Sequence, residues 1–171
     1  MMTLVELNAR DRGGFVDAIG WVFEHSPWVA ERAWEQRPFT TIERLHDAMS
    51  RVVADASPAE QLALLCAHPE LGVARVQSEP LSTASRLEQA GAGLDALRGD
   101  ELERLRALNA AYREKFGFPF LYAVKGSTTR DVLNALERRL TSMRDAEHQE
   151  ALRQVYRIAR FRLEEAVRSS P

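Results

Sequence analysis

Apolar residues recur every three or four positions along most of the chain, which is the spacing of one face of an α-helix. The first such set is Phe15, Val16, Ile19, Val22 and Phe23, and the last runs through Leu152, Val155, Ile158, Ala159, Leu163 and Ala166. The sequence contains no alternating stretch of convincing strand length and no internal repeat. This pattern predicts an all-α fold, a single-domain irregular bundle of about eight helices over residues 1–171.

Helix start signals divide the chain further. They are Ser26 before Pro27, the pairs Thr40/Glu43, Ser57/Glu60, Ser85/Glu88 and Asp100/Glu103, and then Thr128 with Asp131, and Asp145. A hydroxyl N-cap with a carboxylate three residues later satisfies otherwise free backbone N–H groups. We expect the helix after Ser57 to end at His68, because Pro69 disfavours helical backbone in the preceding residue. A loop is expected over about 70–82 and a short helix over about 84–97.

The stretch from Phe116 to Val124 is apolar and aromatic but contains Gly117 and Pro119. A helix is disfavoured there, and a buried extended segment is expected instead. Such a segment leaves backbone N–H and C=O groups in need of partners. Its aromatic rings are suited to core packing. Alternatively, its backbone groups could recognise a flat ligand that is rich in heteroatoms.

Composition narrows the class of protein. Of the 171 residues, 45% are hydrophobic and 28% are charged, and the net charge is −2. These values are typical of a globular protein and give no overall basic surface for nucleic acid. The sequence has no signal-peptide pattern and no apolar run of about 18 residues, so we expect a soluble cytoplasmic protein with no membrane partner. The only cysteine, Cys66, excludes an internal disulfide and is expected to be a buried small hydrophobic residue.

Arg162 interrupts the apolar stripe of the last predicted helix. It lies seven residues after Val155 and four after Ile158, which places it on the inward face. A buried guanidinium needs an anion or several carbonyl groups, because an unpaired buried charge costs several kcal/mol. The partner could be an internal glutamate or a helix C-terminus. Alternatively, Arg162 could bind a carboxylate or amide of a ligand.

Two further positions carry candidate chemistry. His68 is expected to project from a helix end, where the helix dipole favours imidazolium, and it could be an incidental residue or a proton donor. Ser85 and Glu88 have the spacing of a helix cap, and Gln89 adds an amide that could contact a polar ligand. The sequence has no metal-ligand spacing, no nucleophile elbow and no phosphate loop. These clues together suggest a cofactor-free pocket for a small anionic molecule.

Three motifs occur together and in order, and they resemble those of the 2-oxo-4-hydroxy-4-carboxy-5-ureidoimidazoline (OHCU) decarboxylase family of urate breakdown. They are Ala67-His-Pro-Glu-Leu-Gly72, Ser85-Arg-Leu-Glu-Gln89 with Ala90-Gly-Ala-Gly-Leu94, and Asn109-Ala-Ala-Tyr-Arg-Glu-Lys-Phe-Gly-Phe-Pro-Phe120. Phe23–Trp28, Arg37–Phe39 and Ile158–Leu163 also fit, so the resemblance spans nearly the whole chain. Glu70 stands where many members have aspartate, which keeps the charge.

The resemblance implies an all-α homodimer that needs no metal or organic cofactor and forms (S)-allantoin and CO₂ from an anionic ureido-imidazoline. His68 and Glu88 match the family's catalytic residues. The positions that match its substrate-binding residues are Pro69, Ser85, Arg86, Leu87, Gln89, Phe120, Leu121, Tyr122, Ala123, Val124 and Arg162. Two alternatives are a non-catalytic helical interaction module of the same fold and a decarboxylase of a related ureido-imidazoline.

Overall fold

The structure is a computed structural model that describes residues 1–72, 75–76, 79–80 and 82–168. Nine α-helices lie within these ranges and confirm the prediction of an all-α fold. They are α1 (Leu4–Asn8), α2 (Arg12–Ile19), α3 (Trp28–Ala33), α4 (Ile42–Ala54), α5 (Pro58–Cys66), α6 (Thr83–Gly91), α7 (Gly99–Phe116), α8 (Thr129–Arg139) and α9 (Arg144–Ala166). Short 3₁₀ helices lie at Gly20–Val22, Trp34–Gln36 and Leu94–Ala96.

The described strands are only two residues long. They are β1 (Met2–Thr3), β2 (Arg75–Val76), β3 (Glu79–Pro80) and β4 (Val167–Arg168). β1 pairs in parallel with β4, with Met2 opposite Val167. β2 pairs with β3 in the antiparallel sense inside the predicted loop over 70–82, so this part of the chain contains a short ladder. The rest of that loop lies outside the described residues.

Two predicted capping boxes are present. The Ser57 hydroxyl accepts from the Glu60 N–H, and the Glu60 side chain accepts from the Ser57 N–H. Thr128 and Asp131 make the same reciprocal pair at the start of α8. The Thr40 prediction is wrong by one residue, because Thr41 is the N-cap of α4 and its side chain accepts from the Arg44 N–H. Adjacent threonines have equal capping ability, so the local pattern did not distinguish them.

Four other boundary predictions are wrong. Ser26 does not cap α3, because its hydroxyl donates to the Glu24 carbonyl and Pro27 occupies the cap position. α7 begins at Gly99 without a side-chain cap, so Asp100 and Glu103 form no capping box. α5 ends at Cys66, two residues before His68, with Ala67 as its C-cap. α9 begins at Arg144, one residue before Asp145.

Cys66 is exposed rather than buried, since α5 turns the neighbouring Leu64 and Leu65 inward instead. Three or four residues separate neighbours on one helix face, so adjacency to leucine did not determine the side on which the thiol lies. The predicted short helix over about 84–97 is divided into α6 and the 3₁₀ helix at Leu94–Ala96. The division falls at Gly93, which has left-handed backbone with φ of +75°.

The chain divides into two compact units. Unit 1 comprises Met1–Ala67 and the chain from Tyr156 onward, and unit 2 comprises His68–Val155. In unit 1, α3 packs against α4, and the core includes the fully buried Phe15, Phe23 and Leu45. In unit 2, α7 packs against α8, and Tyr112 lies at the centre of an aromatic cluster. The Tyr112 ring lies 4.6 Å from that of Phe116 and 5.3 Å from that of Phe120, measured between ring centroids.

Candidate active site

His68 is the first residue of unit 2, and its side chain is buried. The helix ends two residues before it, so the imidazole stands in the turn that leads to Pro69, which is half-buried. A histidine can exchange a proton near neutral pH. Burial in a turn removes this ring from bulk water while leaving it outside the regular helix.

Three side chains from α6 and α7 contact the turn that follows His68. The buried Asn109 of α7 donates from Nδ2 to the Leu71 carbonyl oxygen at 2.9 Å. The Gly72 N–H donates to Oε1 of the buried Gln89 of α6, also at 2.9 Å. An ion pair of 3.5 Å joins Glu70 to Arg113 of α7. These contacts fix the backbone three and four residues after His68 to both α6 and α7.

Helix α6 separates the predicted site residues into two groups. Ser82 is its N-cap and accepts from the Ser85 N–H, so the prediction that Ser85 caps the helix is wrong. Ser85 and Gln89 are buried on one face, and Glu88 beside them is half-buried. Arg86 and Leu87 are exposed and lie one and two residues further around the helix. The Leu87 side chain therefore lies away from the Ser85 and Gln89 face, whereas Arg86, three residues before Gln89, lies next to Gln89 on the helix surface.

A cavity of about 680 Å³ lies beside α6. Among the described residues, Arg86, Leu87, Gln89 and Ala90 of α6 line it together with Gly72. Arg98 and Arg106 add two further guanidinium groups. None of His68, Ser85 and Glu88 is among its described lining residues. Gln89 is therefore the predicted site residue that both lines this cavity and bonds to the turn after His68.

The segment after α7 is non-helical, as predicted. Gly117 ends α7 with φ of +83°, and Phe120, Leu121, Ala123 and Val124 are buried while Tyr122 is half-buried. The predicted core packing of its aromatic rings is also observed, since the Phe120 and Tyr122 rings stack 6.1 Å apart with an interplanar angle of 14°.

Buried polar side chains satisfy part of this segment's backbone. Arg139 of α8 donates from Nη1 to the Leu121 carbonyl oxygen at 2.6 Å. The Ala123 N–H donates to Oε1 of Gln154 in α9 at 2.9 Å. Arg139 also pairs with the buried Glu147, with Nε 2.7 Å from Oε1, and Glu147 accepts from the Tyr112 hydroxyl. Burial, and then this hydrogen bond to Glu147, raises the pKa of Tyr112 well above its ordinary value, so its phenol stays neutral.

Arg162 lies in unit 1 and is buried on the inward side of α9, as the stripe predicted. Its Nη1 lies 2.9 Å from Oε2 of the buried Glu24 and donates to the Val22 carbonyl oxygen at 3.3 Å. The internal glutamate partner, one of the two alternatives for this residue, is therefore present. No periodic signal marked Glu24 as buried, because it follows a short 3₁₀ helix.

Sequence reasoning missed Asn109, Arg139 and Gln154 as site-supporting residues. Arg139 lies three residues after Leu136 and seven after Val132, and both leucine and valine are buried. Gln154 lies three residues after the buried Ala151. The rule that singled out Arg162, a polar residue on an inward stripe, would have found Arg139 and Gln154 as well.

The described ranges contain no group of three or more His, Cys, Asp or Glu side chains placed to hold a metal ion. In the same ranges, none of the helices has the length and apolar character needed to cross a bilayer.

The fold and these side chains define an all-α protein whose candidates for a small-molecule site are a buried histidine, buried amide side chains and a non-helical backbone segment. A family model described as OHCU decarboxylase matches residues 8–164. The chain belongs to this family, which confirms the resemblance found in the three sequence motifs.

Named relatives and a solved structure agree with this assignment. The OHCU decarboxylase of Halalkalicoccus jeotgali is 46% identical over 164 residues, covering 96% of this chain and 91% of that protein. The uric acid degradation bifunctional protein PucL of Bacillus subtilis is 43% identical and covers 98% of this chain, which spans 33% of that longer protein. A crystal structure of (S)-allantoin synthase matches with a TM-score of 0.79 and 34% identity, covering 97% of this chain and 54% of that one.

Proposed function

We propose that this chain decarboxylates OHCU to (S)-allantoin and CO₂, with His68 as the group that exchanges a proton with the substrate. The decarboxylation of OHCU in urate degradation, a carboxy-lyase reaction, follows from family membership and from the named relatives. The observation that supports the residue assignment is the buried His68 at the start of a turn that Asn109 and Gln89 hold in place.

The reaction requires the protein mainly to position the substrate and to transfer protons. Loss of CO₂ leaves an electron pair on the carbon that carried the carboxylate, and many decarboxylases use a cofactor to accept it. In OHCU a ring C=N adjoins that carbon and can take the pair. The protein then has to orient the substrate, stabilise charge and move protons. His68 can exchange a proton with the ring hydroxyl or the developing product, and Glu88 orients His68 or relays the proton.

The other predicted residues have supporting roles in this proposal. Ser85 and Gln89 share a buried face of α6 and supply polar contacts to the substrate, while Pro69 lies against it. Arg86 and Leu87 take part through their backbone, and their exposed side chains line the cavity beside α6. The backbone N–H and C=O groups of Phe120–Val124 bind the ureido and ring groups of the substrate. Substrate binding by Arg162 remains a prediction from the family resemblance.

Replacement of His68 by asparagine tests the catalytic assignment. OHCU is generated in situ from urate by the two upstream enzymes, and (S)-allantoin is followed by circular dichroism. General acid–base catalysis is worth about 10²–10⁴-fold, so turnover should fall by that factor. His25→Asn is a matched control at an exposed position, where left-handed backbone with φ of 47° suits asparagine. Near-normal turnover by the His68 variant would remove His68 from the mechanism.

The family resemblance also supports a homodimer in the cytoplasm that binds no nucleic acid and no membrane. Sedimentation equilibrium tests the dimer, for which the expected mass is twice the 19.3 kDa of one chain. The same turnover assay separates the enzyme from its two alternatives. A non-catalytic interaction module would leave the decay of OHCU at its spontaneous, racemic rate. A decarboxylase of a related compound would act on that compound faster than on OHCU.

A further inference from the structure

We propose that Gln154, together with Arg139, is a positioning residue that fixes one edge of the Phe120–Val124 backbone and so presents the N–H and C=O of Tyr122 to the substrate. This inference rests on the proposed function and adds two residues from α8 and α9 to it. Neither side chain belongs to the predicted catalytic or binding set.

The two anchored backbone groups are two residues apart. Arg139 donates to the Leu121 carbonyl oxygen at 2.6 Å, and Gln154 accepts from the Ala123 N–H at 2.9 Å. In extended backbone the N–H and C=O of one residue point to the same side, and the next residue points to the other side. The anchored groups therefore lie on one edge of the segment, and the N–H and C=O of Tyr122 lie on the opposite edge.

The aromatic side chains support extended backbone at this point. Phe120 and Tyr122, also two residues apart, stack with an interplanar angle of 14°, as expected when alternate side chains project to the same face. The guanidinium of Arg139 lies 4.6 Å from the centroid of the Phe120 ring. Arg139 thus contacts both the backbone and the ring of the segment.

Each anchor is itself held in orientation. Nε2 of Gln154 donates to Oε1 of Glu150 at 2.7 Å, which directs the amide oxygen of Gln154 to the Ala123 N–H. Nε of Arg139 donates to Glu147 at 2.7 Å, which leaves Nη1 for the Leu121 carbonyl. Arg139, Glu147 and Gln154 are all at least nine-tenths buried. Buried, hydrogen-bonded side chains hold a backbone segment more rigidly than solvent-exposed ones.

The opposite edge of the segment, which carries the N–H and C=O of Tyr122, is complementary to a ureido group in its hydrogen-bonding groups. Tyr122 offers one donor and one acceptor side by side, and a ureido group offers a carbonyl and N–H groups in the same arrangement. Main-chain pairing of this kind gives affinity, as when a peptide adds to the edge of a sheet. Tyr122 would therefore bind the ureido arm of the substrate while the proton chemistry takes place at His68.

The test is Gln154→Met, which keeps side-chain length and removes the acceptor for the Ala123 N–H. Gln149→Met is the matched control, because Gln149 is exposed on the same helix. Two quantities are measured on the full chain: the hydrogen-exchange rate of the Ala123 amide by NMR, and kcat and KM for OHCU. Loss of one hydrogen bond corresponds to about a tenfold change, so exchange and KM should both rise by roughly that factor.

We expect kcat to change by less than about threefold, because the groups that move protons lie outside this segment. Unchanged exchange at Ala123, or faster exchange with an unchanged KM, would overturn the proposal. If Gln154→Met does not fold, Glu150→Ala is measured instead, because it removes the group that orients the Gln154 amide and leaves the amide in place. The Ala123 exchange rate and the KM for OHCU are then judged in the same way. Failure of the proposed function is recognised separately, because wild-type protein would then show no turnover of OHCU.

Discussion

Among the nine glycines, Gly72 is the one at which an added Cβ would meet its nearest neighbour most closely. Its φ is +79°, in the left-handed region, and an added Cβ would clash with Cδ2 of Leu105. Leu105 is fully buried in α7, so it has no solvent space into which to move. Gly72 also donates its N–H to Gln89 in the turn after His68, so the substitution acts directly beside the candidate active site.

Two contributions set the size of the effect of Gly72→Ala. Left-handed backbone costs an alanine roughly 1–2 kcal/mol. Overpacking against a buried side chain adds about 1–3 kcal/mol. Together these lower the free energy of unfolding by about 2–5 kcal/mol. Each kcal/mol lowers the Tm of a protein of this size by about 2–4 °C.

Gly126→Ala separates the two contributions. Gly126 has nearly the same φ, +78°, but a Cβ there meets nothing within 4 Å. It should therefore cost only the backbone part, about 1–2 kcal/mol. Both variants are compared by urea unfolding followed by far-UV circular dichroism, and a Leu105→Ala background should reduce the cost of Gly72→Ala. Equal costs for Gly72→Ala and Gly126→Ala would refute the reasoning that Leu105 blocks the turn.

Two other substitutions test buried polar pairs. Arg162→Met should lower the free energy of unfolding by about 3–5 kcal/mol, because it removes the ion-pair partner of the buried Glu24, whereas the exposed Arg157→Met should change it little. A cost below about 1 kcal/mol in urea unfolding would contradict a structural role for the pair. Tyr112→Phe should cost about 1.5–3 kcal/mol by removing a hydrogen bond to the carboxylate of Glu147. Because the pKa of Tyr112 is raised, its contribution is fully present below pH of about 10, the ordinary tyrosine pKa, and declines above it. Wild-type stability should therefore fall more steeply than that of the variant in alkaline titrations, and parallel curves would contradict this account.

Helix content and the non-helical segment were predictable from the sequence because both depend on local properties. Apolar periodicity marks a helix face, and Gly117 with Pro119 disfavours a helix after α7 whatever the surrounding fold. The positions of Ser85 and Cys66 were not predictable in this way. Ser82 and Ser85 can both cap a helix, and their residue type does not show that Ser82 is the one that does.

The position of that cap changes what Ser85 can do. As an N-cap, its hydroxyl would be occupied by backbone N–H groups at the start of the helix. With Ser82 as the N-cap, Ser85 lies within α6 on the same buried face as Gln89, one helical turn away. The helix-cap explanation for Ser85 is thereby removed, while Gln89 of the same motif has a structural contact with the Gly72 N–H. Arg162, in contrast, has a structural explanation, because Glu24 already provides the anion that the burial of its guanidinium requires. The structure thus gives Arg162 a structural role that any catalytic test of this residue must separate from substrate binding.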